Sequence, residues 1–149
     1  MKARILIVDD EQDALDLMRE VFEKKGYIPI TALNGLEALN IVKQQEPDVI
    51  LTDIRMPEMD GMELLRILTK DYPHIPVIMV TAHGTIETAV DAMKMGAKDY
   101  ILKPIRINEI LSKVERITQL NSLIKENEYL LSKLKQTYDF TNMVGKTEK

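Results

Sequence analysis

Five polar side chains stand at the ends of short apolar runs, and their types suit the transfer of a phosphoryl group. Asp9 and Asp10 follow Ile5-Leu6-Ile7-Val8, and Asp53 follows Val49-Ile50-Leu51-Thr52. Thr81 follows Val77-Ile78-Met79-Val80, and Lys103 follows Tyr100-Ile101-Leu102. Each has an ordinary explanation when taken alone. Acids at a strand-to-helix turn cap the next helix, threonine favours strands, and an exposed lysine is commonly just solvated. Together they form a set. Carboxylates about 4 Å apart repel by about 4 kcal/mol per pair at an effective dielectric near 20, so a cluster of three calls for a cation. Oxygen ligands without histidine or cysteine nearby point to magnesium (or manganese), which suits phosphate substrates. A metal, an ammonium and a hydroxyl are the groups a moving phosphoryl needs around its oxygens.

The elements that would carry these groups alternate. The sequence predicts strands at Arg4–Val8, Tyr27–Ala32, Asp48–Thr52, Pro76–Val80 and Asp99–Leu102. Between them it predicts helices at Asp13–Lys25, from an Asn34 cap to about Gln45, Gly61–Lys70 and Thr85–Met95. Gly26 and Gly96 stop two of these helices. The first, third and fourth strands are nearly continuous apolar runs, as strands covered on both faces should be. The expected fold is therefore α/β, a (βα)5 doubly wound five-stranded parallel sheet. In such a sheet the working site lies beyond the carboxyl ends of the strands, where all five polar groups stand.

The tail has another rhythm. From Ile110 to Tyr138 there is no proline or glycine, and one unbroken helix is expected. Ile110, Ile117, Ile124, Leu131 and Tyr138 recur every seven residues, with Leu120, Asn127 and Leu134 three places on from Ile117, Ile124 and Leu131. These are a and d positions of a heptad, widened by Leu123 and Leu130 at g. Leu111 and Val114 are expected to complete the sandwich. Past Ile117 a self-paired coil is favoured, with Ile117, Leu120, Ile124, Asn127, Leu131 and Leu134 as the seam of a homodimer. Asn127 would weaken the coil while fixing its register. Thr141 to Lys149 reads as polar and loose.

Composition narrows the classes. The 149 residues suffice for one domain and an appendage, and the net charge is −4. Residues 109–149 hold seven Lys/Arg and six Asp/Glu, which leaves −5 for the residues before them. Neither part reads as a nucleic-acid surface. The absence of cysteine excludes disulfides and thiolate chemistry. No signal peptide and no bilayer-length apolar run is seen, so a cytoplasmic protein without membrane contact is expected.

Four motifs in order carry a family resemblance: Ile7-Val8-Asp9-Asp10-Glu11, Thr52-Asp53-Ile54-Arg55-Met56-Pro57 with Asp60-Gly61, Val80-Thr81-Ala82 and Leu102-Lys103-Pro104. Over about residues 3–120 the chain resembles the receiver domains of bacterial two-component response regulators, with their CheY-like (flavodoxin-like) fold. The resemblance implies that Asp53 accepts a phosphoryl group from a sensor histidine kinase or a small acyl phosphate. It implies Asp10 and Asp53 as direct metal ligands, the Arg55 backbone carbonyl as a third, and Asp9 acting through water. Thr81 and Lys103 would bind the phosphoryl oxygens. Tyr100 matches the family's switch aromatic, which turns inward on phosphorylation, and Lys103-Pro104 matches a cis peptide bond. His83 and Arg55 occupy positions that tune hydrolysis in the family, although His83 reads somewhat more readily as a plain solvent-exposed residue.

The segment Thr85–Ala97 (TIETAVDAMKMGA) further resembles the fourth helix of NtrC-like enhancer-binding proteins, in which a helical linker leads to an ATPase acting with sigma-54 RNA polymerase. Phe140–Thr147 (FTNMVGKT) resembles the opening of that ATPase. No GxxxxGK[ST] loop or helix-turn-helix follows. The expected organisation is a receiver over 1–120, a coiled-coil linker over 117–138, and from 139 to 149 the start of a missing output domain or a loose tail. Action on polymerase and DNA would belong to the missing domains, with no direct nucleic-acid binding by this chain. A related Asp-nucleophile phosphatase would carry a second acid two residues after the nucleophile, where this chain has Arg55. The receiver is therefore expected to promote only its own phosphorylation and dephosphorylation, and is not an enzyme in the sense of releasing a product. A stand-alone adaptor like the chemotaxis regulator would not need the tail.

Overall fold

The computed structural model describes residues 3–56, 58–82 and 85–146, with side chains described as far as 136. Five strands, β1 (Arg4–Val8), β2 (Ile28–Ala32), β3 (Val49–Asp53), β4 (Val77–Thr81) and β5 (Asp99–Leu102), alternate with five helices. The helices are α1 (Gln12–Lys24), α2 (Gly35–Gln44), α3 (Gly61–Asp71), α4 (Ile86–Lys94) and α5 (Ile107–Lys146). The sheet is wholly parallel in the order β2-β1-β3-β4-β5. The chain winds one way from β1 to β2 and the other way from β3 onward. The crevice between β1 and β3 is the switch point where such sheets bind ligands.

Alternate residues of each strand face opposite ways, and they build two cores. Leu6, Val8, Ile50, Val77 and Met79 pack with α2, α3 and α4 through Ala38, Val42, Leu64, Leu65, Leu68 and Ala92. Ile5, Ile7, Val49, Leu51, Ile78, Val80 and Ile101 pack with α1 and α5 through Leu15, Met18, Phe22, Ile110 and Val114. Helix starts are set by side-chain caps: Asn34 Oδ1 accepts from Glu37 N at 2.8 Å, and Asp60 Oδ1 from Glu63 N at 2.9 Å. Gly26 (φ 90°) and Gly96 (φ 114°) follow α1 and α4 in the left-handed region.

Most boundaries lie within a residue or so of the sequence expectation, and three of the differences have consequences. Tyr27 lies before β2, its ring edge-on to Phe22 at 5.4 Å. Asp53 is the last residue of β3, paired with Val80, so the acid is held by the sheet itself. Helix α5 begins at Ile107 and runs on to Lys146, so the expectation of a loose Thr141–Lys149 fails over residues 141–146. The sole glycine in that run, Gly145, costs a helix only about 1 kcal/mol, and no proline interrupts it. By internal contacts the chain divides into a unit ending at Thr118 and a second, Gln119–Lys149, whose described part is the distal stretch of α5.

Candidate functional site

Asp9 leaves β1 with its amide bonded to the Ala32 carbonyl at 3.1 Å, which fixes its backbone beside the β2 end. The residue is buried, with its carboxylate Oδ1 accepting from Glu11 N at 3.0 Å. Asp53 closes β3 next door, and its Oδ1 accepts from Ile54 N at 2.7 Å. Lys103 reaches both acids from beyond β5. Its Nζ donates to Asp9 Oδ2 at 2.9 Å and to Asp53 Oδ2 at 3.0 Å. Its backbone amide is fixed by the Thr81 carbonyl at 2.8 Å, and the peptide bond to Pro104 is cis, as the resemblance implied. Burial by itself lowers the Lys103 pKa, but the hydrogen bonds and charges of Asp9 and Asp53 outweigh it and hold it above the ordinary lysine value.

Asp10 is exposed at the rim, and one oxygen from each of Asp9, Asp10 and Asp53 lies within 4.8 Å of the others. Three hard oxygen donors so close together fit a divalent cation of the magnesium type. Thr81 is fully buried at the end of β4. Arg55 lies exposed in the loop after β3, while Pro57 and His83 fall outside the described residues. Thus strand ends from β1, β3, β4 and β5 bring Asp9, Asp10, Asp53, Thr81 and Lys103 to one edge of the sheet, as expected.

Tyr100, the expected switch aromatic, lies partly buried in β5. Its ring packs against the core formed with α2, α3 and α4. Its hydroxyl is enclosed and meets no hydrogen-bond partner among the described residues. The heptad positions divide. Ile117 packs against the core of its own first unit, so that expected seam residue is partly used within the chain. Leu120, Ile124, Leu131 and Leu134 are exposed, as are Asn127 and the flanking Leu123 and Leu130.

Two close approaches escaped the sequence reading. A Cβ at Gly61 would lie 1.9 Å from the Asp53 carbonyl oxygen, so α3 begins against the Asp53 backbone. The Asp60-Gly61 pair was the visible signal, read only as part of a motif. Asp99 at the start of β5 holds α5 through Lys113 Nζ at 3.1 Å and Arg116 Nη2 at 3.6 Å. No local pattern announces that pairing.

Residues 5–115 match the response regulator receiver domain family. A putative NtrX-like response regulator of Rickettsia bellii is 39 % identical over 143 residues, covering 95 % of this chain and 29 % of that protein. The sporulation initiation phosphotransferase F of Bacillus subtilis is 39 % identical over 122 residues, covering 82 % of this chain and 98 % of that protein. The crystal structure of NtrX from Brucella abortus superposes with a TM-score of 0.82 at 36 % identity, over 87 % of this chain and 30 % of that one. The chain thus spans under a third of the NtrX-type proteins it matches.

Proposed function

The chain belongs to the response regulator receiver family, and from that premise we propose that Asp53 is the residue that takes the phosphoryl group. The observation that carries this reading is the Lys103 ammonium shared between Asp9 and Asp53, with Asp10 beside them. An Asp53 carboxylate oxygen attacks phosphorus. A phosphohistidine of a sensor kinase, or acetyl phosphate, loses its P–N or P–O bond to the leaving group, which keeps the electron pair. The product is an acyl phosphate on Asp53. Water later attacks the same phosphorus and restores the carboxylate. Asp10, Asp53 and the Arg55 backbone carbonyl would hold magnesium directly, and Asp9 through water. When bound, the ion would supply charge neutralisation for the phosphoryl oxygens. Lys103 offsets the growing negative charge from the other side, and the Thr81 hydroxyl donates to the bound phosphoryl.

The output is a change of surface. The phosphoryl group draws Thr81, and the packing around Tyr100, α4 and β5 shifts toward the arrangement that binds it better. The distal α5 residues Leu120, Ile124, Asn127, Leu131 and Leu134, entered through Ile117, pair with a second copy as a parallel coil. In a longer protein of the NtrC-like kind this dimer would govern a sigma-54-dependent ATPase, in the cytoplasm. Among the described residues no helix is long and apolar enough to cross a membrane.

Incubation with acetyl phosphate and magnesium, followed by intact mass and reductive mapping, tests the assignment. One phosphoryl group on the wild-type chain and none on Asp53→Asn is expected. Undiminished label on Asp53→Asn would sink it.

A further inference from the structure

Among the described residues the buried polar or charged side chains are Asp9, Thr52 and Thr81. Asp9 and Thr81 belong to the pocket described above. Thr52 has no part in that chemistry, although it is fully buried and precedes the acceptor. Strand alternation turns it away from Asp53, toward the face of Ile50 and Ile54 that meets α2, α3 and α4. An isosteric valine would fill that place without burying a hydroxyl, a group that costs free energy unless it is hydrogen-bonded. The hydroxyl does have a bond. Thr52 Oγ1 donates to the Asp53 carbonyl oxygen at 3.0 Å.

That carbonyl is where the chain leaves the sheet. On its far side Gly61 presses so close that any Cβ would meet the oxygen at 1.9 Å, and Gly61 N donates to the Ile54 carbonyl at 2.6 Å. The same short segment carries Ile54 N, which holds Asp53 Oδ1 at 2.7 Å. A rotation of the Asp53–Ile54 peptide would therefore carry the carboxylate with it. The geometry points to Thr52 as a positioning residue. Its buried hydroxyl fixes the Asp53 carbonyl, and through the Asp53–Ile54 peptide fixes how the acceptor carboxylate is presented to the phosphodonor. This rests on the reading of Asp53 as acceptor. It adds a second-row requirement on β3, for a hydroxyl at the position before the acceptor.

The phosphodonor is acetyl phosphate with magnesium, and the quantity read is the maximal rate of acyl-phosphate formation at a temperature where circular dichroism shows every variant folded. Thr52→Val, which keeps shape and removes the hydroxyl, is expected to be slower by about tenfold, the scale of one lost hydrogen bond. Thr52→Ser is expected to restore the rate to within about twofold, since the donor returns without the methyl. Should Thr52→Val fail to fold, the ratio of Thr52→Ser to Thr52→Ala reads the hydroxyl instead. A purely structural role would lower thermal stability and leave the rate of the folded variants alone. Equal rates for wild type and folded Thr52→Val, or Thr52→Ser as slow as Thr52→Ala, would overturn the inference while leaving Asp53 as acceptor. Wild-type chain that takes no label at Asp53 would overturn both.

Discussion

Lys103 and a divalent cation compete for the same oxygens, because the ammonium already lies between Asp9 and Asp53 at hydrogen-bond distance. Lys103→Met should therefore bind magnesium more tightly in a calorimetric titration, since one positive charge at the site is gone. It should at the same time form the acyl phosphate about a hundredfold more slowly, having lost the donor aimed at developing charge. Weaker magnesium binding would show that Lys103 organises the acids more than it competes for them. The raised pKa fixes a pH signature. A group whose folded value lies above its unfolded value contributes stability that is whole below the unfolded pKa and is lost as pH rises through the folded one. The difference in urea midpoint between wild type and Lys103→Gln should be flat from neutrality to about pH 9 and shrink only in stronger alkali. Gly61 belongs to the same scale. Gly61→Ala places a methyl against backbone that has no room to move, and should cost about 2 kcal/mol in urea unfolding.

At the scale of elements, α4 and β5 stand over the one enclosed hydroxyl without a partner among the described residues, that of Tyr100. An unpaired buried hydroxyl costs about 1 to 3 kcal/mol, so Tyr100→Phe should raise the thermal unfolding free energy by about 1 kcal/mol. A fall would mean that the hydroxyl is bonded in solution. An arrangement in which this hydroxyl gains a partner would be favoured by that bond, which couples Tyr100 to switching. Beryllofluoride with magnesium should therefore change amide exchange over Ile86–Lys94 and Asp99–Leu102. Changes confined to Gln12–Lys24 would contradict a switch built on Tyr100. The Asn34 cap was legible because caps are local chemistry, whereas Asp60 and Thr85, which cap α3 and α4, were not read as caps. The length of α5 was not legible, since no strong stop signal precedes Lys146 and weak propensities do not decide a helix end.

For the whole molecule the distal α5 is the part whose apolar side chains seek cover. Leu120, Ile124, Leu131 and Leu134 are each about half exposed or more, which a lone helix in water gains nothing from. Ile124→Lys with Leu131→Lys would bury like charges in a parallel seam. The double variant should sediment as a monomer at micromolar concentration, while residues 5–115 still fold and take the phosphoryl group. Asn127→Leu should stabilise the association and loosen its choice of register or oligomer state. A wild-type chain that stays monomeric, or a dimer untouched by the double change, would leave the tail an exposed terminal helix.

The sequence by itself determined the order of elements, because apolar runs and helical periodicity are local properties. It also determined the identity of the acidic, hydroxyl and ammonium groups, since each closes a strand. Tertiary structure alone decided how they share one another. That Lys103 bridges Asp9 and Asp53, rather than facing solvent, depends on residues 94 and 50 positions apart meeting across the β1–β3 crevice. Nor could any pattern reveal that Gly61 lies against the Asp53 carbonyl and Thr52 holds it. Ile117 makes the same point: its heptad spacing placed it in a seam, yet the end of the first unit claims part of its side chain for its own core. Periodicity states which residues seek cover. Only the packed chain states which cover they find.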